Sequence, residues 1–250
     1  MILNTYTHKS SSAPVSILIG VLLVIGLCFH LPGSTSADTA MSKPSITICV
    51  DPGHPSEVSA GRAVQNSLQE VVINWKVAEC LIQVLETMGY TVKCTKASMN
   101  EQVTNKHRAE IANLCNASLL IRLHCDTGRG SGFTLYYPNK QGKKNGIVGP
   151  ANTVIISSSA AAKAIHQGMQ SKLKGVLRDN GVKGDTSTKI GKMQGALTGS
   201  IYSKVPAVTV EMVFLSNKAD ARFIGTEEGQ QKMAEALAEG IAEYLSSGKH

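Results

Sequence analysis

From about residue 45 onward the chain alternates between two hydrophobic periods. Short apolar runs rich in β-branched residues read as strands over Ser45–Val50, Tyr90–Thr95, Ser118–His124, Gly132–Tyr137 and Ala207–Val213, with a further short strand near Ala196–Ser200. Between them apolar residues recur at three-and-four spacing. Val71, Trp75, Ala78, Leu81, Ile82, Leu85 and Met88 predict a helix from about Leu68 to Met88, closed by Gly89. Further helices are predicted over about Glu101–Cys115, Ser157–Leu177 and Thr226–Leu245. The last has Met233, Ala236, Leu237, Ile241 and Leu245 on one face and Thr226 as N-cap. Alternating strands and helices predict an α/β fold: a single domain with a mostly parallel twisted sheet of about six strands and helices on both faces. Two stretches lack periodicity, the lysine- and glycine-rich 139–151 and the turn-rich 178–191, and there is no internal repeat.

The first residues follow a different pattern. Lys9 precedes an apolar run from Val15 to Phe29, followed by Pro32-Gly33 and the small residues Ser34 to Ala37. This predicts a secretory signal over 1–37, or an uncleaved N-terminal anchor, then a linker over 38–44 and a catalytic domain over 45–250. The expected location is the periplasm, the cell wall or the extracellular space, with membrane contact only through the N-terminal segment. Leu27 before Cys28 argues against lipidation. Roughly 200 remaining residues suffice for one domain and not two, and a monomer is expected. A net charge of +7 favours an anionic partner, whereas 4% aromatic residues and no basic-aromatic motif argue against nucleic acid. The odd set Cys49, Cys80, Cys94, Cys115 and Cys125, scattered over strands and helices, reads as free thiols acting as small apolar residues.

Candidate chemistry gathers at strand ends. His54 follows an apolar strand through Asp51-Pro52-Gly53, His124 ends Leu119-Leu120-Ile121-Arg122-Leu123, and Glu211 ends Val208-Thr209-Val210. In parallel α/β sheets ligands bind outside the carboxyl ends of strands. Glu70 begins the helix that follows the first strand, so it reaches the same rim. Taken singly, each has a plain structural reading; Glu70 alone would complement a helix dipole. Glu211 is harder to dismiss, because a carboxylate flanked by apolar residues is costly to bury without a task. Catalytic zinc takes three protein ligands and leaves a fourth position for water. His54, Glu70 and His124 meet that count with one Zn2+ ion, leaving Glu211 as general base. Glu57 is the rival to Glu70 but sits in a loop. His107 and His166 are expected to face solvent without acidic partners. Strand alternation turns Cys125 away from His124, which makes it a poor fourth ligand.

These residues resemble the zinc-dependent N-acetylmuramoyl-L-alanine amidases of the Amidase_3 type. The resemblance rests on Val50-Asp51-Pro52-Gly53-His54, Glu70 with Asn74, Arg108-Ala109 with Ala112-Asn113, Leu123-His124, Gly181-Val182-Lys183 and Val205 through Asn217. It spans about Ile46 to Leu245. It implies zinc on His54, Glu70 and His124, a catalytic Glu211, and peptidoglycan as substrate, cut between the lactyl group of N-acetylmuramic acid and L-alanine. Pro55-Ser56 stand where the family has glycines, Arg122 where it has a small serine, and Cys125-Asp126 replace a small residue and Asn or Asp. Arg122 shares a strand face with His124 and is a candidate for binding a substrate carboxylate or supporting a ligand.

Two other readings use the same residues. A zinc carboxypeptidase or aminopeptidase acting on wall peptides would use Arg122 as its anchor for a terminus. A non-catalytic wall-binding module would not need all four site residues. The 139–151 stretch, with Lys140, Lys143 and Lys144, is a solvated connection or, because it follows the strand beyond His124, a wall of the substrate groove.

Overall fold

The computed structural model describes residues 46–248; the segments 1–37 and 38–44 read above as signal and linker lie outside the described residues. In chain order the elements are β1 (Thr47–Pro52), β2 (Val64–Gln65), β3 (Leu68–Gln69), α1 (Glu70–Thr87), β4 (Thr91–Cys94), α2 (Asn105–Leu114), β5 (Leu119–Asp126) and β6 (Phe133–Tyr137). There follow β7 (Gly142–Lys144), β8 (Ile147–Gly149), α3 (Asn152–Leu173), β9 (Asp179–Gly184), α4 (Lys189–Gln194), α5 (Thr198–Tyr202), β10 (Ala207–Phe214), α6 (Lys218–Ile224) and α7 (Glu227–Ser246). Six strands form one sheet in the order β4-β1-β5-β10-β6-β9. The first four run parallel, β6 runs antiparallel to β10, and β9 runs parallel to β6.

Strand alternation divides the sheet into two unlike faces. Ile48, Val50, Leu119, Ile121, Leu123, Val208 and Val210 point into the main core, which α1, α3 and α7 cover. The opposite face carries Cys49, Leu120 and Ala207 beneath α2, and further along it the polar Asp51, Arg122 and Thr209, also buried. Helices α3 and α7 cross closely because both are glycine at the crossing: a Cβ on Gly168 would lie 2.5 Å from the Gly240 nitrogen. The face predicted for α7 is the buried one, and Thr226 Oγ1 accepts from the Gly229 N–H as its N-cap.

Several boundaries and one strand differ from the sequence reading. The segment Ala196–Ser200 is not a strand: Thr198–Tyr202 is the helical turn α5, with Gly199 so close to the sheet that a Cβ there would meet the Arg122 guanidinium at 2.5 Å. The sixth strand is instead β9, inside the stretch read as turns. As an edge strand it needs no apolar alternation, and only Val182 packs on the core. Helix α3 starts five residues earlier than Ser157, since Val154 contributes its apolar side chain despite modest helix propensity. On α1 the buried residues include Val71, Asn74, Val77, Ala78, Leu81 and Leu85, because the helix packs on α7 as well as the sheet. Trp75 is only half-buried, under the Lys96 ammonium, and Met88 is exposed.

The stretch 139–151 contains the hairpin β7–β8 and does not line the strand ends that carry His124 and Glu211. Tyr136 pairs with Thr209 and Thr134 with Glu211, so β6 runs back toward the start of β10 and delivers the hairpin to the opposite end of the sheet. There β7 and β8 pack against α4 and α5, with Lys144 Nζ 3.4 Å from Gln194 Oε1.

Candidate metal centre

Three parallel strands deliver their carboxyl ends to one rim. In the β5–β10 register Glu211 lies opposite His124, as Thr209 lies opposite Arg122, so all four side chains project from the same face. A bulge follows at once: the pairing shifts by one residue between Glu211 and Phe214. Such bulges end regular pairing and re-aim side chains, and here one permits Met212 and Val213 to be buried in succession. Glu70 arrives by a different path. Asn66 and Ser67, both with positive φ, make the two-residue turn of the β2–β3 hairpin. The Asn66 amide donates to the Leu215 carbonyl at 2.8 Å, and β3 then runs directly into α1 at Glu70.

The side chains of His54, Glu70 and His124 meet. His54 Nε2 is 3.1 Å from Glu70 Oε2, and His124 Nδ1 is 3.0 Å from Glu70 Oε1. The two rings stand edge to face with centroids 5.1 Å apart, and one ligand atom from each residue lies within 4.8 Å of the other two. Two glycines make room for the rings. A Cβ on Gly53 would sit 2.6 Å from His124 Nε2, and one on Gly61 would sit 2.6 Å from His54 Cβ.

The donor set suits a metal ion. Two imidazole nitrogens and a carboxylate oxygen are the ligands that catalytic zinc takes, at about 2.0–2.2 Å each, with one position left open. His54 Nδ1 lies 3.1 Å from the Ser59 carbonyl, an acceptor only, so that nitrogen donates, and Nε2 is directed at Glu70. Burial would lower the ring's pKa, but the hydrogen bond and charge of Glu70 outweigh it and raise it. Burial pushes the Glu70 carboxyl up, but hydrogen bonds from His124 and His54 overcome this and hold it well below the usual range, ionised. At His124 burial prevails over the Glu70 bond and lowers the ring's pKa, favouring the neutral imidazole that ligation requires.

Glu211 lies across from this trio in a different environment. Its Oε2 is buried without a hydrogen-bond partner. Burial, then the nearby carboxylates of Glu70 and Asp126, push its pKa well above the ordinary value, against a smaller opposing pull from Arg122. The charged form of this carboxyl is disfavoured relative to an exposed glutamate, the direction expected of a group that accepts and returns a proton.

The remaining candidates fall elsewhere. Arg122 is buried, its Nε donating to Asp51 Oδ2 at 2.8 Å and its Nη2 to Asn105 Oδ1 at 2.5 Å. It supports the strand that carries His124 through a buried ion pair, and Asp51 is shared with Arg108 at 2.5 Å. Glu57 accepts from the Asn105 N–H at 2.8 Å at the start of α2 and is not in the trio. Cys125 points into the core with its Sγ 3.6 Å from Asn74 Oδ1, and the five cysteines of the described residues are free. His107 is exposed, though 3.5 Å from Glu110. His166 departs from expectation: its Nε2 is 2.8 Å from Asp179 Oδ1 and its side chain is largely covered. Its acidic partner comes from β9, a strand not recognised in the sequence. The sequence reading also missed the Ser59 carbonyl, because any residue type supplies one.

A mostly parallel α/β sheet thus gathers a candidate His–Glu–His metal site at the carboxyl rim of its strands. Residues 48–243 match the family model described as N-acetylmuramoyl-L-alanine amidase, Amidase_3, and the chain belongs to that family. It is 29% identical to the uncharacterized protein YqiI of Bacillus subtilis over 226 residues, 89% of this chain and 95% of that one. It is 23% identical to the N-acetylmuramoyl-L-alanine amidase Rv3717 of Mycobacterium tuberculosis over 234 residues, 86% and 92% of the two chains. The fold is similar to that of the apo N-acetylmuramyl-L-alanine amidase Ami1 from Mycobacterium abscessus, with TM-score 0.67 and 24% identity over 80% of this chain and 98% of that one.

Proposed function

We propose that His54, Glu70 and His124 hold one zinc ion and that Glu211 is the general base and acid of an amidase acting on the bond between N-acetylmuramic acid and L-alanine in peptidoglycan. The enzyme class follows from the family; the roles of these residues are inferred from the geometry. The observation that carries the reading is the pairing of an ionised carboxylate between two imidazoles with a second, orphaned carboxylate on the neighbouring strand. When bound, the ion supplies Lewis acidity toward the scissile carbonyl and acidifies water. Glu70 remains anionic and offsets the cation's charge. Glu211, whose proton affinity is raised by burial and by the nearby carboxylates, takes a proton from the attacking water and returns it to the leaving nitrogen. Arg122 and Asp51 keep β1 and β5 in register so that His54 and His124 face the same point.

Export is part of this reading, supported by the signal-like composition of residues 1–37 and by a substrate that lies outside the membrane. Among the described residues no helix is long and apolar enough to cross a membrane.

Metal analysis of the purified protein, with mass identification of its products from purified peptidoglycan, tests cofactor and bond together. The expected result is about one zinc per chain and release of intact stem peptides. Shortened stem peptides would establish a peptidase instead, and binding without release a wall-binding module. Glu211→Gln should lower turnover by about 10²–10⁴-fold while zinc content and wall binding persist; unchanged lytic activity removes Glu211 from the mechanism.

A further inference from the structure

The turn that presents His54 is held in an unusual way. Its four consecutive carbonyls, from Pro52 to Pro55, each accept a hydrogen bond from a side chain of another element. Arg108 Nη1 on α2 donates to the Pro52 carbonyl at 2.7 Å and Arg108 Nη2 to the Pro55 carbonyl at 2.8 Å. Asn74 Nδ2 on α1 reaches the Gly53 carbonyl at 3.3 Å. Lys96 Nζ, just beyond β4, donates to the His54 carbonyl and, at 3.0 Å, to that of Met99. All three donors are buried: Asn74 is 0%, Arg108 1% and Lys96 4% exposed. Lysine and arginine are rarely buried to this degree, and charge-assisted bonds of this kind are about twice as strong as neutral ones.

The turn they enclose is strained. His54 has φ +60°, a left-handed conformation that costs a non-glycine residue on the order of 1–2 kcal/mol. Such a conformation persists only where its surroundings over-determine it. The same backbone direction turns the His54 ring so that Nε2 faces Glu70 and Nδ1 faces the Ser59 carbonyl. Asn74 serves both sides of the site, since Nδ2 is also 3.4 Å from Glu70 Oε1, one helical turn before it. One amide therefore ties the His54 turn to the carboxylate.

We propose that Asn74, Lys96 and Arg108 are positioning residues that hold His54 and Glu70 in metal-receiving geometry before any ion arrives. The proposal rests on the reading of His54, Glu70 and His124 as metal ligands. The strain of the His54 turn is borne by bonds that already exist in the protein alone, so binding an ion requires little rearrangement of its ligands. Weakening the cradle then appears in metal affinity and in ligand geometry, beyond any change in fold stability.

The test uses metal-free full-length protein and the variants Asn74→Ala and Lys96→Met, the latter keeping the apolar stem beside Trp75 while removing the donor. Zinc affinity is measured by competition with a chromophoric chelator, ligand geometry by the visible absorption of the Co(II)-substituted protein, and folding by thermal melting without metal. Each folded variant is expected to bind zinc about 10- to 100-fold more weakly, with an altered Co(II) spectrum. Folded variants with affinity within twofold of wild type and an unchanged spectrum overturn the proposal. Should Asn74→Ala fail to fold, Lys96→Met, on a separate element, decides alone. Absence of zinc binding by the wild-type chain would instead overturn the ligand assignment, which separates the two failures.

Discussion

Gly53→Ala is the sharpest test of how the rim is built. The backbone at Gly53 lies outside the left-handed region, so the consequence under test is the added methyl group. That methyl would sit 2.6 Å from His124 Nε2 and 2.7 Å from Nδ1, whereas carbon and nitrogen atoms in contact rest about 3.5 Å apart. The ring must retreat by about 1 Å. Metal–ligand distances tolerate about 0.2 Å, and a misplacement of about 1 Å at a reacting centre costs on the order of 10²-fold in rate. Zinc affinity and turnover are therefore expected to fall together, each by at least about tenfold, while the metal-free protein melts close to wild type. Chelator competition, hydrolysis of purified peptidoglycan and calorimetry read the three quantities. Gly89→Ala is the control: its φ is +87° with nothing within 4 Å of the added Cβ, so it should lose about 1–2 kcal/mol of stability with zinc affinity intact. A Gly53→Ala enzyme that binds zinc and turns over like wild type would refute the placement of His124 in the site.

Other expectations follow from the buried charges and the sheet topology. Arg122→Ala strips one partner from the fully buried Asp51, costing about 3 kcal/mol by denaturant unfolding; unchanged zinc content and turnover in the folded variant would reject any role for Arg122 at the site. Burial would push the Asp51 carboxyl up, but Arg108 and Arg122 hold it well below the usual range. Its stabilising contribution is thus complete above the unfolded value of about 3.9 and is lost as pH falls from there toward the depressed folded value. Wild-type melting temperature should drop below about pH 4, with a shallower drop in Asp51→Asn; equal slopes would show that Asp51 is not the titrating group. Replacing Lys140, Lys143 and Lys144 together with glutamine should leave turnover on soluble wall fragments unchanged, because β6 carries that hairpin away from Glu211; a large loss would place those lysines in the groove.

Hydrophobic periodicity and strand-end chemistry were sufficient to find β1, β4, β5, β6, β10, α1 and α7, and to single out His54, Glu70, His124 and Glu211. Each of those signals is local: a strand must be apolar where it is buried on both faces, and a ligand must follow it where the rim begins. Edge strand β9 escaped because one side of an edge faces solvent and asks little of its residues. The hairpin β7–β8 and the antiparallel course of β6 were equally hidden, since strand direction depends on partners distant in the chain. Of the two carboxylates the sequence offers, Glu70 at a helix start is the one that stands 3.1 and 3.0 Å from the two imidazoles.

The sequence by itself determined which residues could hold a cation and which sheet type would display them, because residue identity and period are written in the chain. Only the tertiary structure decided that Arg122 faces inward to Asp51, that Gly53 and Gly61 clear space for two rings, and that four carbonyls around His54 are held by donors from three elements. The physical reason is that, the Gly61–His54 approach aside, these are contacts across 21 to 71 residues of chain, set by how elements pack, and no short-range pattern encodes which buried donor meets which acceptor.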